Sequence, residues 1–371
     1  MIPILLANLV SRALTPPRPR PRGRASGRLK KGRKRINLAL QGGGAHGAFT
    51  WGVLDQLLED GRIEIEGISG ASAGAVNAVM LADGLARGGP DEARTRLADF
   101  WRAVSVDGHL PDLQRSVVER LFPFARDGLW LGAMSRMLSP SELNPLNINP
   151  LKDLIDRFVD FDAIRGDRAP ELFVSATNVH TGELRVFTRA EITPEVIMAS
   201  AALPNLFRAV EIDGVPYWDG GYSGNPAVIP FLRATATEDV LIVQINPRER
   251  RKVPTRTREI MSRVNEINFN APLLSELRGV AFVNRLIDEG RLPRGLRHGE
   301  FRRLRLHRIV MQELPEAAGM RSTLKTDYEY FEMLRKLGQR ATRRFLDAHF
   351  DDIGHRSTID MAETVEAELV E

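Results

Sequence analysis

Three short stretches of this 371-residue chain combine residue types and spacings suited to chemistry. The first is Gly70-Ala71-Ser72-Ala73-Gly74, which fits G-x-S-x-G. Between a strand and a helix, such a turn projects its serine at the helix N-terminus, where unpaired N–H groups favour developing negative charge. The turn backbone is strained and close-packed, so its neighbours must be small. Gly70, Ala71, Ala73 and Gly74 meet that need. The plainer alternative is a strand-to-helix connection whose serine is only a cap.

The second stretch is Gln41-Gly42-Gly43-Gly44-Ala45-His46-Gly47. Three successive glycines let backbone N–H groups turn inward with no side chain to block a substrate oxygen. A helix starting at Gly47 adds its dipole. Oxyanion donors of this kind are worth about 3–4 kcal/mol each when removed. The same loop is formally G-x-G-x-x-G, with Glu64 or Glu66 as the following acid, which raises nucleotide binding as a rival. In a dinucleotide fold, however, that acid ends the second strand, whereas here the strand continues into the serine turn. No Gly-Lys-Ser/Thr follows, which excludes a Walker loop.

The third stretch is Asp219-Gly220-Gly221, and it bears on the missing base. In the usual triad order a histidine follows the serine. His298, His307, His349 and His355 lie in charged or amphipathic surroundings, and none sits in a Gly/Pro-framed loop. His46 precedes the serine. Asp219 stands between Tyr217-Trp218 and two glycines that allow close approach to another backbone. A partly desolvated aspartate touching the serine hydroxyl can act as base directly. Taken alone, Asp-Gly-Gly also reads as a plain turn.

The elements that must position these stretches are legible in outline. Ile36–Leu40 reads as a buried strand, followed by a helix with Gly47, Trp51, Leu54 and Leu58 on one face, ended by Asp60-Gly61. Ile63–Ser69 reads as a strand and Ala75–Leu81 as a packed helix. Strand–helix–strand–helix points to a parallel sheet with helices on its faces. From Asp91 to about Phe161 the pattern is helical and broken by prolines. Leu97, Phe100, Trp101 and Val104 suggest one helix there and Leu129–Leu138 another apolar stretch, with Ser139–Pro150 a loop. This insertion is either a cap or acyl channel over the site, or ordinary core. Leu172–Thr177 reads as a strand turning back into Leu184–Phe187. A helix near Pro194–Ala201, a hairpin turning at Asp213-Gly214 and a buried strand at Val240–Ile245 follow. Ile260, Val264, Ile267, Ala271, Leu274 and Leu277 recur at helical spacing, Arg302–Val310 suggests a late strand, and Phe331–Phe345 a final helix.

Composition sets further bounds. The 43% apolar content supports a substantial core, and no run approaches a bilayer-spanning length. There is no cysteine, which excludes disulfides, thiolate metal sites and a cysteine nucleophile. The net charge of +4 hides an asymmetry: eleven Lys/Arg fall between Arg12 and Arg35, so the rest sums to −7. Residues 1–35 read as a basic Pro/Arg-rich, disordered tail. An organelle leader, a peripheral anchor on an anionic membrane surface and a tail without a partner are the open readings. Nucleic acid is not expected, since no aromatics interleave the arginines and the remainder is acidic.

In their order and context the three stretches resemble the patatin-like phospholipase family. Ala176-Thr177-Asn178 with Thr181-Gly182, Ser200-Ala201-Ala202-Leu203-Pro204 and Asn225-Pro226 add lesser similarities. The resemblance covers about residues 36 to 232. It implies an α/β fold, a three-layer α/β/α sandwich with a mostly parallel central sheet, plus a mainly helical C-terminal extension of the bacterial type. After the basic tail at 1–35, it implies a catalytic domain at 36–232, and last core strands with the extension at 233–371.

For the site, it implies a Ser–Asp dyad of Ser72 and Asp219 and an oxyanion hole at Gly43, Gly44 and Ala45. Gly42, Gly47, Gly70, Gly74, Gly220 and Gly221 are the motif glycines; Gly221 stands where many members carry alanine. No metal and no cofactor is implied. The expected partner is a phospholipid or other fatty-acyl ester substrate, and the expected location is the cytoplasm with peripheral attachment at the inner membrane. A non-catalytic or partner-activated membrane-binding protein on the same fold, and a His-dependent esterase, are the alternatives.

Overall fold

The computed structural model describes residues 32–105, 149–204, 206–250, 252–292, 302–311 and 327–359. Its frame is one eight-stranded sheet: β1 (Lys34–Leu40), β2 (Ile63–Gly70), β3 (Glu171–Asn178), β4 (Leu184–Thr188), β5 (Val210–Ile212), β6 (Val215–Asp219), β7 (Asp239–Gln244) and β8 (Arg305–Val310). The strand order is β5-β6-β3-β2-β1-β7-β8, with β4 also on β3. β3, β2, β1, β7 and β8 run parallel, while β4 and β6 pair antiparallel with β3 and β5 pairs antiparallel with β6. Ile36–Leu40 and all of β7 are buried, as strands covered on both faces must be.

Helices supply the two outer layers: α1 (Gly47–Asp60), α2 (Ala73–Arg87), α3 (Pro90–Ala103), α4 (Pro150–Phe158), α5 (Phe161–Arg165), α6 (Pro194–Ser200), α7 (Phe231–Ala234), α8 (Thr257–Asp288) and α9 (Tyr328–His349). One core packs Phe49, Trp51, Met80, Trp101, Phe331 and Leu334 against one sheet face. A second packs Phe231, Leu273, Leu277 and Val280 against the other. The fold is therefore the expected three-layer α/β/α sandwich with a mostly parallel sheet and a helical C-terminal region.

Two details differ from the sequence reading. Lys34 and Arg35, expected to close the tail, belong to β1. The Lys34 ammonium donates to the carbonyls of Phe350, Asp351 and Ile353 at 2.7, 3.0 and 2.7 Å, just past α9, where free carbonyls attract a cation. Arg35 pairs with Glu64 at 2.8 Å. In α8, the spacing of Ile260, Val264 and Ile267 does mark a helix, yet these three face outward. The core is met by Leu273, Leu277 and Val280 instead. The apolar stretch Leu129–Leu138, the loop to Asn147 and the cap reading lie outside the described residues, as do residues 1–31 and His298.

Candidate active site

The site is set by strand pairing on β3. Ala176 pairs with both Arg185 of β4 and Asp219 of β6, so β4 and β6 take opposite edges of β3. Val174 pairs with both Phe187 of β4 and Gly70 of β2, so β2 also lies opposite β4. β2 and β6 therefore share one edge and meet head-on. β2 ends at Gly70 opposite Val174; β6 ends at Asp219 opposite Ala176. Two residues of strand rise separate these ends, about 7 Å. Whatever follows Gly70 must face whatever ends β6.

Ser72 follows Gly70. It sits at φ 53°, ψ −127°, between the end of β2 and the start of α2. A positive φ in a non-glycine residue costs on the order of 1–3 kcal/mol and persists only where the surroundings impose it. Here the Ser72 N–H donates to both the carbonyl and the Oγ of Ser200, at 3.1 and 3.0 Å. The Ser72 side chain makes no capping bond to its helix, so the plain cap reading does not describe it. Gly74 is dictated by contact: a Cβ there would lie 2.1 Å from the Leu40 carbonyl oxygen.

The glycine loop packs directly on this turn. A Cβ on Gly42 would stand 2.7 Å from the Ser72 Cβ. Polar side chains from three other segments hold the loop. Asn225 Oδ1 accepts the Gly42 N–H at 2.6 Å, and Asn246 Nδ2 donates to the Gly42 carbonyl at 2.7 Å. Gln41 Oε1 accepts the N–H groups of Ile245 and Asn246, both at 2.9 Å, while its Nε2 donates to Asn270 Oδ1 at 3.0 Å. Gly44–His46 then forms one 3-10 turn before Gly47 opens α1, its carbonyl accepting from Asn77 Nδ2 at 3.0 Å. The N–H groups of Gly43, Gly44 and Ala45 donate to no described residue. His46 is buried, and burial lowers its pKa to about 4, so its imidazole is neutral at pH 7.

Asp219 is fully buried. Burial pushes its pKa up to about 7, against the opposing pull of the Gly221 N–H and the Ser72 hydroxyl. Oδ1 accepts the Gly221 N–H at 2.7 Å, which caps the Gly220–Tyr222 turn. Oδ2 is buried with no hydrogen-bond partner among the described residues. The plain-turn reading thus accounts for one carboxylate oxygen and leaves the other. The Ser72 hydroxyl is near enough to act on the carboxylate without completing a hydrogen bond, as catalytic pairs without substrate often are.

Apart from His46, the described histidines lie elsewhere. His307 is buried on β8, its Nε2 3.0 Å from Asp239 Oδ1 and its Nδ1 3.2 Å from Thr358 Oγ1. β8 is three strands from β2, about 14 Å across the sheet. His349 pairs with Asp352 at 2.9 Å, and His180 and His355 are exposed. Among the described residues, no His/Asp/Glu group of three or more is arranged to hold a metal ion. Sequence reasoning gave no role to Ser200 and Asn225 and passed over Asn246 and Asn270. Asn246 carried a usable signal, since it follows a buried parallel strand at the carboxyl edge of the sheet. Asn270 carried none, lying inside a helix whose pattern is read for its apolar residues.

The model of the patatin-like phospholipase family matches residues 38–232, more than half of the chain. The chain belongs to that family, and it is by that membership a lipid ester hydrolase in class. No curated protein matches it. Among solved structures it is similar to VipD from Legionella pneumophila, with 15% identity, a TM-score of 0.34, and coverage of 85% of this chain and 67% of that one. It is similar to the ExoU chain in the heterodimeric ExoU–SpcU complex from the type III secretion system of Pseudomonas aeruginosa, with 17% identity, a TM-score of 0.35, and coverage of 87% and 52%. The type III effector ExoU gives 17% identity, a TM-score of 0.37, and coverage of 85% and 53%. The chain therefore spans about half the length of those ExoU chains. No helix among the described residues is long and apolar enough to cross a membrane.

Proposed function

We propose that this protein cleaves fatty-acyl esters of lipids with a Ser72–Asp219 dyad, through an acyl-enzyme. The observation that carries the reading is the head-on meeting of β2 and β6, which sets a strained serine against a buried carboxylate with one unpaired oxygen. Asp219 takes the Ser72 proton as Oγ attacks the ester carbonyl. The tetrahedral oxyanion rests on the N–H groups of Gly43, Gly44 and Ala45. Collapse expels the alcohol, which leaves with the proton from Asp219, and the acyl group stays on Ser72. Water then attacks the acyl carbonyl while Asp219 takes its proton. The fatty acid departs and Ser72 regains its hydrogen.

The raised pKa of Asp219 suits this task, because a base works best when its pKa lies near the working pH. Against a histidine base stands the placement of His307, which is bonded to Asp239 and lies across the sheet. We assign the serine machinery to residues 36–232 and assign the basic stretch before β1 to peripheral contact with an anionic inner-membrane surface from the cytoplasm. Fatty-acid release from lipid vesicles, lost on Ser72→Ala and Asp219→Asn in folded protein, tests the reading. Turnover by either variant near the wild-type rate overturns it.

A further inference from the structure

The outward stripe of α8 is the feature that the site does not absorb. Ile260, Val264 and Ile267 recur at i, i+4 and i+7, and are 42%, 42% and 51% exposed. Leu273, Leu277 and Val280 have the same spacing but lie about 220° further around the axis, where they meet the core. The helix is thus apolar on two opposite sides, and only one has a covering layer among the described residues. Met261, next to Ile260 on the same helix, is also exposed. The apolar exposure is confined to the first half of α8. Beyond it the exposed positions are Ser275, Arg278, Arg285 and Asp288.

That half is fixed to the candidate active site. The Phe269 ring meets Tyr222 edge-on at 5.3 Å and lies 2.5 Å from where a Gly221 Cβ would stand. Its carbonyl accepts from Asn225 Nδ2 at 3.0 Å, and Asn270 accepts from Gln41. The stripe is therefore held at a fixed distance from Asp219 and the glycine loop.

By sequence, the segment that carries the patch has a basic surplus. Between Arg248 and Ala271 there are seven Lys/Arg and three acids, in a chain whose residues after Arg35 sum to −7. One of the acids, Glu266, faces inward and is bonded to Arg250 and Arg263. An apolar ridge with a cationic margin on an otherwise acidic body is complementary to one partner chemistry: a bilayer with an anionic headgroup layer, into which an amphipathic helix lays its apolar side.

We propose that the outward face of the first half of α8 docks this protein on anionic phospholipid membrane, edge-on, so that acyl esters reach Ser72 from the bilayer. The proposal rests on the lipid-hydrolase reading for its purpose, and its test is a binding measurement that does not need turnover. The full chain carrying Ser72→Ala is floated with vesicles of phosphatidylcholine, with and without phosphatidylglycerol, beside the same chain with Val264→Glu and Ile267→Glu.

The expected result is preference for the anionic vesicles and a loss of affinity of about tenfold or more in the double variant. In the Ser72 chain, the double substitution leaves hydrolysis of a monomeric short-chain ester unchanged. Because the chain has no cysteine, Val264→Cys gives a single site for an environment-sensitive dye. Its emission shifts to the blue on anionic vesicles, and that of a dye at Lys336→Cys, on the opposite layer, does not. Equal vesicle binding with and without the stripe, or no shift at Val264, overturns the proposal. So does a change in oligomeric size with vesicle binding intact, which would make the stripe a contact between copies. If no ester is cleaved but vesicle binding still depends on the stripe, the docking surface stands and the catalytic reading falls.

Discussion

Asn225 grips Gly42 from both sides: its Oδ1 accepts the Gly42 N–H at 2.6 Å, and its Nδ2 lies 3.5 Å from the Gly42 carbonyl oxygen. The clamp joins the loop after β1 to the segment that follows Asp219. It positions the proposed oxyanion donors relative to the proposed base without touching the reacting atoms. Asn225→Ala leaves a buried N–H unsatisfied, at a cost of about 1–3 kcal/mol. The expected outcome is a kcat lowered about 10- to 100-fold with KM nearly unchanged, read from initial rates on a soluble ester, together with a lower Tm.

As the proposed base, Asp219 must be ionised, and burial places its pKa at about 7. Below that value kcat/KM should fall about tenfold per pH unit, and above it the rate should level off. A pH–rate profile on an uncharged ester checks this. A profile flat from pH 5 to 8 would mean that another group takes the proton.

The same raised pKa has a stability consequence of definite sign. The folded state holds the Asp219 proton more tightly than the unfolded chain, whose carboxyl titrates near 3.8. The resulting stability is full below about pH 4 and is lost as pH rises through about 7. Asp219→Asn keeps an acceptor for the Gly221 N–H and cannot ionise. It is expected to raise Tm at pH 8 and to change it much less at pH 5, by thermal denaturation at the two values.

His307 joins β8 to Asp239, whose carboxyl stays well below the usual range because hydrogen bonds from His307 and Arg305 outweigh its burial. Removing His307 leaves that carboxylate short of one donor. His307→Gln is expected to lower stability by about 1–3 kcal/mol while kcat stays within about twofold of wild type. A large loss of kcat in a protein of unchanged Tm would favour a histidine-dependent esterase.

Much of the frame was legible because local and global preferences agree. Ile36–Leu40 and Val240–Ile245 are apolar runs that only a doubly covered sheet can use, and Gly70–Gly74 has few uses besides a sharp strand-to-helix turn. The three site stretches could be read singly, but their meeting could not. It depends on β2 and β6 sharing one edge of β3, a pairing between segments over a hundred residues apart. Asn270 was silent for the same reason, and the roles of Ser200 and Asn246 could not be read, since an amide or hydroxyl gains its role only from a distant group. The covered face of α8 was not legible, because helical spacing reports periodicity and not which side is covered. Lys34 looked like the end of a basic run until α9 supplied three carbonyls for it.

The most direct measurement is fatty-acid release by mass spectrometry from vesicles of mixed zwitterionic and anionic phospholipids plus a glyceride. Wild type, Ser72→Ala and Asp219→Asn are compared, each shown to be folded. Release by wild type with a loss of roughly 10⁴-fold or more in both variants is the result a Ser72–Asp219 dyad requires. Release by Ser72→Ala at a rate near wild type would contradict it.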